Sequence, residues 1–118
     1  MMEWTPPMGL RVEDLGGPGL HTLALSGELD VHTLTTLEAA ISRACNDGTR
    51  SLTLDLRGLT FIDSSGLWLM TRAWKWCEQH GCEFTLIPGS ESIQRVFEET
   101  GLSDLLPFQE DHGSGEQS

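Results

Sequence analysis

Two adjacent serines and an aspartate lie where a predicted strand ends and a predicted helix begins. The segment Asp63-Ser64-Ser65 follows a run of alternating apolar residues and precedes a long stretch with helical spacing. Backbone N–H groups at a helix start lack partners within the helix and carry roughly half a unit of positive charge. A hydroxyl there is expected to be exposed, and the fold should tolerate a phosphate on it. The segment therefore predicts a phosphorylation site.

A catalytic serine is an alternative hypothesis for the same residues. Such a serine needs a base beside it and commonly lies in a Gly-x-Ser-x-Gly turn. Here the serines stand in Ile62-Asp63-Ser64-Ser65-Gly66, and none of the four histidines has a motif that places it nearby. The histidines also lack the spacing of metal ligands. We expect no enzymatic activity, no metal site and no cofactor.

The chain is strongly acidic. Its 118 residues include 18 acidic and 7 basic side chains, which gives a formal charge of −11. The length suits one domain with a small core. A negative surface repels nucleic acid and anionic membranes, so we expect neither as a direct partner. A basic protein partner would suit this charge, although solubility alone is a sufficient explanation.

Three cysteines, Cys45, Cys77 and Cys82, show neither an even number nor a Cys-x-x-Cys spacing. We expect the first two to pack in helices as small apolar residues, which suits a reducing compartment. The start of the sequence has no signal-peptide pattern, and no apolar run approaches the roughly 20 residues that cross a bilayer. The expected location is therefore the cytoplasm.

The elements that must position Ser64 are predicted to form an α/β fold in the order β-β-α-β-α-β-α. The strands are expected at residues 9–14, 20–26, 52–57 and 82–87. The glycine-rich turn between the first two predicts an antiparallel hairpin. Strand–helix–strand units pair in parallel, so the other strands should complete a mixed four-stranded sheet. Because the strands alternate in polarity, the helices are expected mainly on one face.

Each predicted helix rests on apolar spacing and an end signal. Asp30 is expected to cap the first helix through a hydrogen bond with Thr33, three positions on. The apolar face of this helix would carry Val31, Leu34, Leu37, Ile41 and Ala44. The second helix would begin at Ser64, with an inner stripe of Leu67, Met70, Trp74 and Cys77. The third helix would span about 90–99 and present Ile93, Val96 and Phe97 to the core.

Three segments together resemble the STAS domain of the anti-sigma factor antagonist family. Residues 61–67 resemble the D-S-S-G-L loop of that family. Residues 26–30, followed by Thr33, resemble its G-E-L-D-x-x-T pattern at the end of the second strand. Residues 93–102 resemble its last helix and closing turn. The three matches occur in order on the predicted elements.

The resemblance covers nearly the whole chain and implies a STAS domain over residues 1–108. The small polar residues 109–118 predict a flexible C-terminal tail. A STAS domain also suits a different role, as a scaffold in a stress-signalling complex or an accessory subunit of a lipid transporter, without a phosphoserine. The intact Asp63-Ser64-Ser65 favours a phosphorylation switch in transcription regulation.

The family resemblance implies how such a switch works. Unmodified members bind an anti-sigma factor, which is usually a serine kinase of the histidine-kinase-like ATPase fold, and this frees a sigma factor. The kinase phosphorylates the first serine of the loop, release follows, and a metal-dependent serine phosphatase resets the cycle. By motif position Ser64 is the implied phosphoacceptor, flanked by Asp63 and Ser65. Glu28 and Asp30 should lie nearby, at the end of the adjacent strand.

Several of these residues also have a structural interpretation. Ser64 and Asp63 both suit a helix N-cap, since Ser and Asp are favoured there regardless of function. Asp30 suits a cap as well as a partner contact. Ser65 is the alternative phosphoacceptor, but it is expected instead to order the loop by hydrogen bonds. Gly66 is expected to permit close approach of the backbone.

Trp68 departs from the family pattern, in which a small residue commonly follows D-S-S-G-L. On a helical projection Trp68 points away from the apolar stripe, toward Arg72 and Trp76. Aromatic residues and arginine are enriched in binding hot spots. We therefore expect Trp68 and Arg72 to take part in partner binding. The alternative is that the indoles lie flat on neighbouring surface.

Overall fold

Alternating apolar residues and glycine turns build the predicted β-β-α-β-α-β-α fold. The computed structural model describes residues 9–46 and 48–109. Its elements are β1 (Leu10–Asp14), β2 (Leu20–Leu29), α1 (Leu34–Ala44), β3 (Ser51–Ile62), α2 (Ser64–Gln79), β4 (Glu83–Ile87) and α3 (Glu91–Glu99). No helix in these residues is long and apolar enough to span a membrane.

The four strands form one mixed sheet in the order β1-β2-β3-β4. β1 pairs antiparallel with β2, and Gly19 in their connection has a φ of 78°, which favours glycine. β2, β3 and β4 pair in parallel. The predicted hairpin and the predicted parallel pairing are both confirmed.

The core lies between one face of the sheet and the helices. The leucines of β2 and β3 alternate onto this face, and the register aligns them with the apolar residues of β4. The buried side chains of this face are Leu23, Leu25, Leu52, Leu54, Leu56, Phe84 and Leu86. On the other face Thr22, Thr53 and Thr85 lie side by side across three strands and are only half-buried. The helices pack against the leucine face, as predicted.

The first helix begins later than predicted. α1 starts at Leu34, and Val31, expected on its apolar face, precedes the helix and is 63% exposed. The Asp30 carboxylate does accept from the Thr33 backbone N–H, at 3.1 Å, but it also accepts from His32, at 2.9 Å. Asp30 therefore stabilises a separate turn, because a short polar side chain that bonds to the backbone competes with helix formation.

β2 and β3 run farther than predicted, to Leu29 and Ile62. The pairing register of the two strands shifts near Gly27 and Gly58, so the alternation of inward and outward side chains is interrupted there. Asp55 of β3 is only 8% exposed and pairs with Arg57 at 2.8 Å. Because β3 continues to Ile62, the serine loop follows the strand directly.

The segment after α3 returns to the sheet edge. Gly101 has a φ of 80° and ends the helix, and the chain then turns from Leu102 to Leu106. The Phe108 ring packs edge-on against Phe97, with centroids 4.9 Å apart, and Phe108 forms a parallel bridge with Leu86. Apart from Gln109, the predicted tail at 109–118 lies outside the described residues.

Candidate functional site

A single residue separates β3 from α2, so the serine loop is held between two rigid elements. Leu29 pairs with Ile62 at the ends of β2 and β3. The backbone N–H of Asp63 then donates to the Leu29 carbonyl, at 3.2 Å. This bond joins the loop to the end of β2, where Glu28 and Asp30 lie, as expected.

Asp63 is the N-cap of α2. Its backbone is extended, and its carboxylate accepts from the Ser65 and Gly66 N–H groups, at 3.0 and 3.3 Å. The Ser65 hydroxyl donates to the same carboxylate oxygen, at 2.6 Å. The predicted cap and the predicted loop-ordering role of Ser65 are therefore both present.

The hydrogen bonds also determine the charge of Asp63. Partial burial opposes ionisation, but hydrogen bonds from the Ser65 hydroxyl and from the Gly66, Ser65 and Val31 backbones lower the pKa of Asp63. The carboxylate is thus ionised at neutral pH and stays at the helix start, where negative charge is favourable.

Ser64 is exposed and is the first residue of α2. Among residues 9–46 and 48–109 its hydroxyl has no hydrogen-bond partner, whereas those of Ser65 and Ser90 both bond to groups at a helix start. The helix-cap interpretation of Ser64 is wrong, because Asp63 already performs that task. The Ser64 hydroxyl is therefore both accessible and unnecessary to the local fold.

A shallow groove of about 300 Å³ runs beside Ser64. Trp68 lies one helical turn farther on and is 68% exposed. Side chains on a helix lean toward its N-terminus, which brings the indole over the turn that carries Ser64. We call this the Ser64 groove; its lining is Ser64, Leu67, Trp68, Thr71, Thr100 and Leu102.

Arg72 and Trp76 belong to a second groove, which lies between α1 and α2 and has a volume of about 850 Å³. Arg72 approaches Glu38 of α1 at 3.8 Å, and Trp76 stacks on His80 with ring centroids 4.1 Å apart. Trp68 is exposed and points away from the apolar stripe, as predicted, but it lines the Ser64 groove, whereas Arg72 and Trp76 line the groove between α1 and α2.

Glu28 and Asp30 are half-buried beside the loop. The Glu28 backbone carbonyl accepts from the Thr33 hydroxyl, at 2.8 Å, and this hydroxyl accepts from the Asp30 backbone N–H, at 3.0 Å. The G-E-L-D-x-x-T pattern thus closes a hydrogen-bonded turn at the end of β2. This turn fixes the backbone of Glu28 and Asp30 next to the serine loop.

Gly66 is buried where α2 crosses the end of the sheet. A Cβ at this position would lie 2.8 Å from Leu29 Cδ2 and 3.0 Å from Ile62 Cγ1. As predicted, Gly66 therefore allows the backbone of α2 to approach the end of the sheet closely. Its contribution to the loop surface is indirect, through the position of the helix start.

Sequence reasoning missed two parts of this surface. Thr100 and Leu102 form the far wall of the Ser64 groove, although they are remote in the chain. Val31 and Phe61 flank the loop and are 63% and 45% exposed. For Phe61 the available signal was its place next to the buried Ile62, because strand alternation then assigns Phe61 to solvent. Val31 gave no such signal, because its spacing suited the apolar face of the first helix. Val31, Phe61 and Trp68 thus form an apolar rim around the polar serine loop.

A family model and a curated relative both match most of this chain. The family model described as STAS domain matches residues 12–115. The anti-sigma-B factor antagonist of Staphylococcus aureus is 34% identical over 103 residues, which cover 87% of this chain and 95% of the relative.

Solved structures of similar proteins share the fold. An anti-sigma factor antagonist from Mycobacterium paratuberculosis has a TM-score of 0.78 at 23% identity, covering 92% of each chain. SpoIIAA in its unphosphorylated form has a TM-score of 0.68 at 23% identity, covering 89% of this chain and 91% of the other. Bacillus SpoIIAA in the phosphorylated form has a TM-score of 0.64 at 24% identity, covering 89% and 95%. Since the family model spans most of the sequence and the curated relative exceeds 30% identity, the chain belongs to the STAS domain family.

Proposed function

We propose that this protein is an anti-sigma factor antagonist that is inactivated by phosphorylation of Ser64. The observation that carries the proposal is the exposed Ser64 hydroxyl, which has no hydrogen-bond partner in the described residues and follows an aspartate that already caps the helix. The unmodified protein binds an anti-sigma factor and thereby frees a sigma factor. The curated relative carries the name of such an antagonist.

The surface around Ser64 suits a protein partner. Val31, Phe61 and Trp68 expose apolar area around the loop, while Glu28 and Asp30 supply negative charge at its edge. Aromatic side chains such as Phe61 and Trp68 are enriched in protein–protein interfaces relative to the rest of a protein surface. Arg72 lies on the neighbouring groove and would extend the contact toward α1.

Phosphorylation would act on the interface more than on the fold. A phosphate adds roughly −1.5 to −2 charges and three acceptor oxygens. The start of α2 tolerates that charge, because its N–H groups carry partial positive charge. A partner surface that packs against the Ser64 hydroxyl does not have this tolerance, especially beside the Asp63 carboxylate. A penalty of roughly 3 kcal/mol would weaken binding about a hundredfold.

Two enzymes complete the proposed cycle. The anti-sigma factor itself is the kinase, with a histidine-kinase-like ATPase fold, and a metal-dependent serine phosphatase regenerates the free hydroxyl. Support comes from the solved SpoIIAA structures, which represent an unphosphorylated and a phosphorylated form of a protein with this fold. In this cycle the chain is a substrate and a binding partner, and it performs no catalysis itself.

The test combines capture with phosphate mapping. The unphosphorylated chain is immobilised, the bound anti-sigma factor is identified, and the purified pair is incubated with ATP and Mg²⁺. We expect one phosphate on the tryptic peptide of residues 58–72, and fragmentation should place it on Ser64 rather than Ser65. Phosphate on another residue, or no transfer from a kinase that binds tightly, would overturn the proposal.

Variants of Ser64 separate binding from modification. Ser64→Ala should keep its affinity for the anti-sigma factor, because the hydroxyl has no hydrogen bond to lose within the described structure, but it should accept no phosphate. Ser64→Asp should bind about a hundredfold more weakly. Ser92→Asp is the matched control, since Ser92 is also exposed near a helix start, in α3. Its affinity should equal that of the wild type.

A further inference from the structure

The Ser64 groove is apolar, although half of its lining residues carry a hydroxyl. The Thr71 hydroxyl donates to the Leu67 carbonyl at 2.9 Å, one turn back in α2. The Thr100 hydroxyl donates to the Val96 carbonyl in the same way, also at 2.9 Å. Each hydroxyl is therefore satisfied within its own segment, which leaves the methyl group of each threonine to line the groove.

The groove also has a shape that suits one inserted side chain. Leu67 is only 5% exposed and forms its floor, whereas Trp68 is 68% exposed and stands beside it as a wall. Leu102 is half-buried on the opposite side. Within the described residues no charged side chain lines the groove, whose volume is about 300 Å³. An aliphatic or aromatic side chain that enters it is removed from water on three sides, which is favourable in proportion to the apolar area buried.

All charged side chains in the two segments that form the groove are acidic. Residues 58–71 and 96–109 contain no lysine or arginine, and their four acidic residues are Asp63, Glu98, Glu99 and Asp104. Glu98 and Glu99 lie in the last turn of α3, where the free carbonyl groups already carry partial negative charge. The stability of α3 therefore does not explain these two glutamates. Their charge does attract cationic groups to the Thr100 side of the groove.

We propose that the Ser64 groove binds one apolar side chain of the anti-sigma factor, and that lysine or arginine residues flank this side chain in the partner. The inference rests on the proposed function and specifies which part of the partner the groove recognises. The apolar side chain packs between Trp68 and Leu102, and its basic neighbours lie near the carboxylates of Glu98 and Glu99. Side chains that fill a pocket in this way contribute much of the binding energy of an interface.

The position of the groove also accounts for the effect of phosphorylation. Ser64 is itself part of the lining. A phosphate on its hydroxyl would place roughly −1.5 to −2 charges beside the bound apolar side chain. Charged oxygens that an apolar neighbour shields from water lose hydration, which is unfavourable. The apolar side chain of the partner would therefore leave the groove.

Cross-linking within the complex tests the contact without any variant. The protein is produced with photo-leucine, a leucine analogue that cross-links to its neighbours under ultraviolet light. It is mixed with the purified anti-sigma factor that the unphosphorylated chain captures, illuminated and digested with trypsin. We expect cross-links from Leu67 or Leu102, in the peptides of residues 58–72 and 96–118, to an apolar partner residue with a lysine or arginine beside it. Cross-links only from leucines outside the groove, or to a partner segment without basic residues, would overturn the proposal.

Filling the groove should weaken binding. In Thr71→Phe the ring occupies the space that the partner side chain needs, so the affinity should fall at least about tenfold. Glu78→Phe is the matched control, because Glu78 is exposed on the same face of α2, two turns beyond the groove. It should bind like the wild type. Circular dichroism verifies that both variants fold, and calorimetric titration measures the affinity.

Removing the acidic charges tests the basic flanks of the partner. The double variant of Glu98→Gln and Glu99→Gln should bind about fivefold more weakly at low salt, and the difference should shrink as salt screens the charges. It should nevertheless resist urea at least as well as the wild type, because negative charge is removed from the end of α3. Glu91→Gln, at the start of the same helix, is the control and should keep its affinity. Unchanged binding of the double variant at low salt would contradict the basic flanks.

The same measurements separate the groove from the proposed switch. If no kinase bound the wild type or transferred phosphate to Ser64, the proposed function would fail, and the groove proposal would fall with it. If the wild type bound its kinase and was phosphorylated while Thr71→Phe bound equally well, only the groove proposal would be wrong.

Discussion

At the scale of single residues, Asp63 and Ser64 perform different tasks that their types alone do not distinguish. Both residues are favoured at helix N-caps. The structure gives the cap to Asp63, whose carboxylate accepts from two backbone N–H groups and the Ser65 hydroxyl. The sequence could not decide between them, because the choice depends on where β3 ends. Ser64 is left with an exposed hydroxyl for modification.

Removing the cap should destabilise the protein. Asp63→Ala removes the acceptor for three donors, and we expect a loss of about 1 kcal/mol in the free energy of unfolding at pH 7. Asp63→Asn should keep most of this stability, because Asn is an equally good cap residue. Urea unfolding of the three proteins, monitored by circular dichroism, measures the differences.

The charge on Asp63 adds a pH dependence. Its folded pKa is lowered below the ordinary value of 3.8, so the carboxylate stabilises the folded state above that pH. This contribution is lost as the pH falls through the folded pKa. The stability of the wild type relative to Asp63→Asn should therefore decrease below pH 3.8. A difference that stays constant from neutral to strongly acidic pH would contradict the role of the charge.

At the scale of elements, the sequence was sufficient where polarity alternated cleanly and insufficient where hydrogen bonds interrupt the pattern. The leucines of β3 alternate onto the buried face, and α3 spans Glu91–Glu99, close to the predicted 90–99. The predicted start of α1 was wrong, because Asp30 and Thr33 bond to nearby backbone groups and form a separate turn before the helix.

Trp68 lies on the solvent-exposed face of α2. Trp68 is 68% exposed, so Trp68→Ala should change the free energy of unfolding by less than about 0.5 kcal/mol. Because the indole borders the Ser64 groove, its loss should weaken binding of the anti-sigma factor by about 2 kcal/mol. Calorimetric titration measures the affinity, and urea unfolding measures the stability.

Trp76→Ala provides the matched control on the same helix. Trp76 is half-buried and stacks on His80, away from the Ser64 groove. This variant should lose stability and weaken partner binding less than Trp68→Ala does. If Trp68→Ala bound as tightly as the wild type, the indole would have no part in the interface.

At the scale of the whole molecule, the site is carried by a sheet and a helix that do not depend on the modified side chain. The parallel register of β2 and β3 brings their ends together, and buried leucines fix that register. A one-residue slip would expose those leucines, so the loop has little freedom to move relative to the core. The fold as a whole should therefore persist in the phosphorylated state.

Backbone NMR tests this persistence. In Ser64→Asp, amide shift changes should be confined to residues 28–33, 61–68 and 100–102, which surround the loop. Ser92→Asp should instead perturb the start of α3. Changes that spread through β1 and β4 would mean that the charge reorganises the core, and the interface-blocking mechanism would be wrong.

The Ser64 groove has two walls that come from opposite ends of the second half of the chain. One wall is α2, and the other is Thr100 and Leu102, which reach that position only after α3 has packed on the sheet. An enzyme that modifies Ser64 therefore reads a three-dimensional epitope. A short synthetic peptide that copies the serine segment would lack the wall formed by Thr100 and Leu102. The enzyme would also not recognise an unfolded nascent chain. Modification would thus be reserved for molecules that have finished folding.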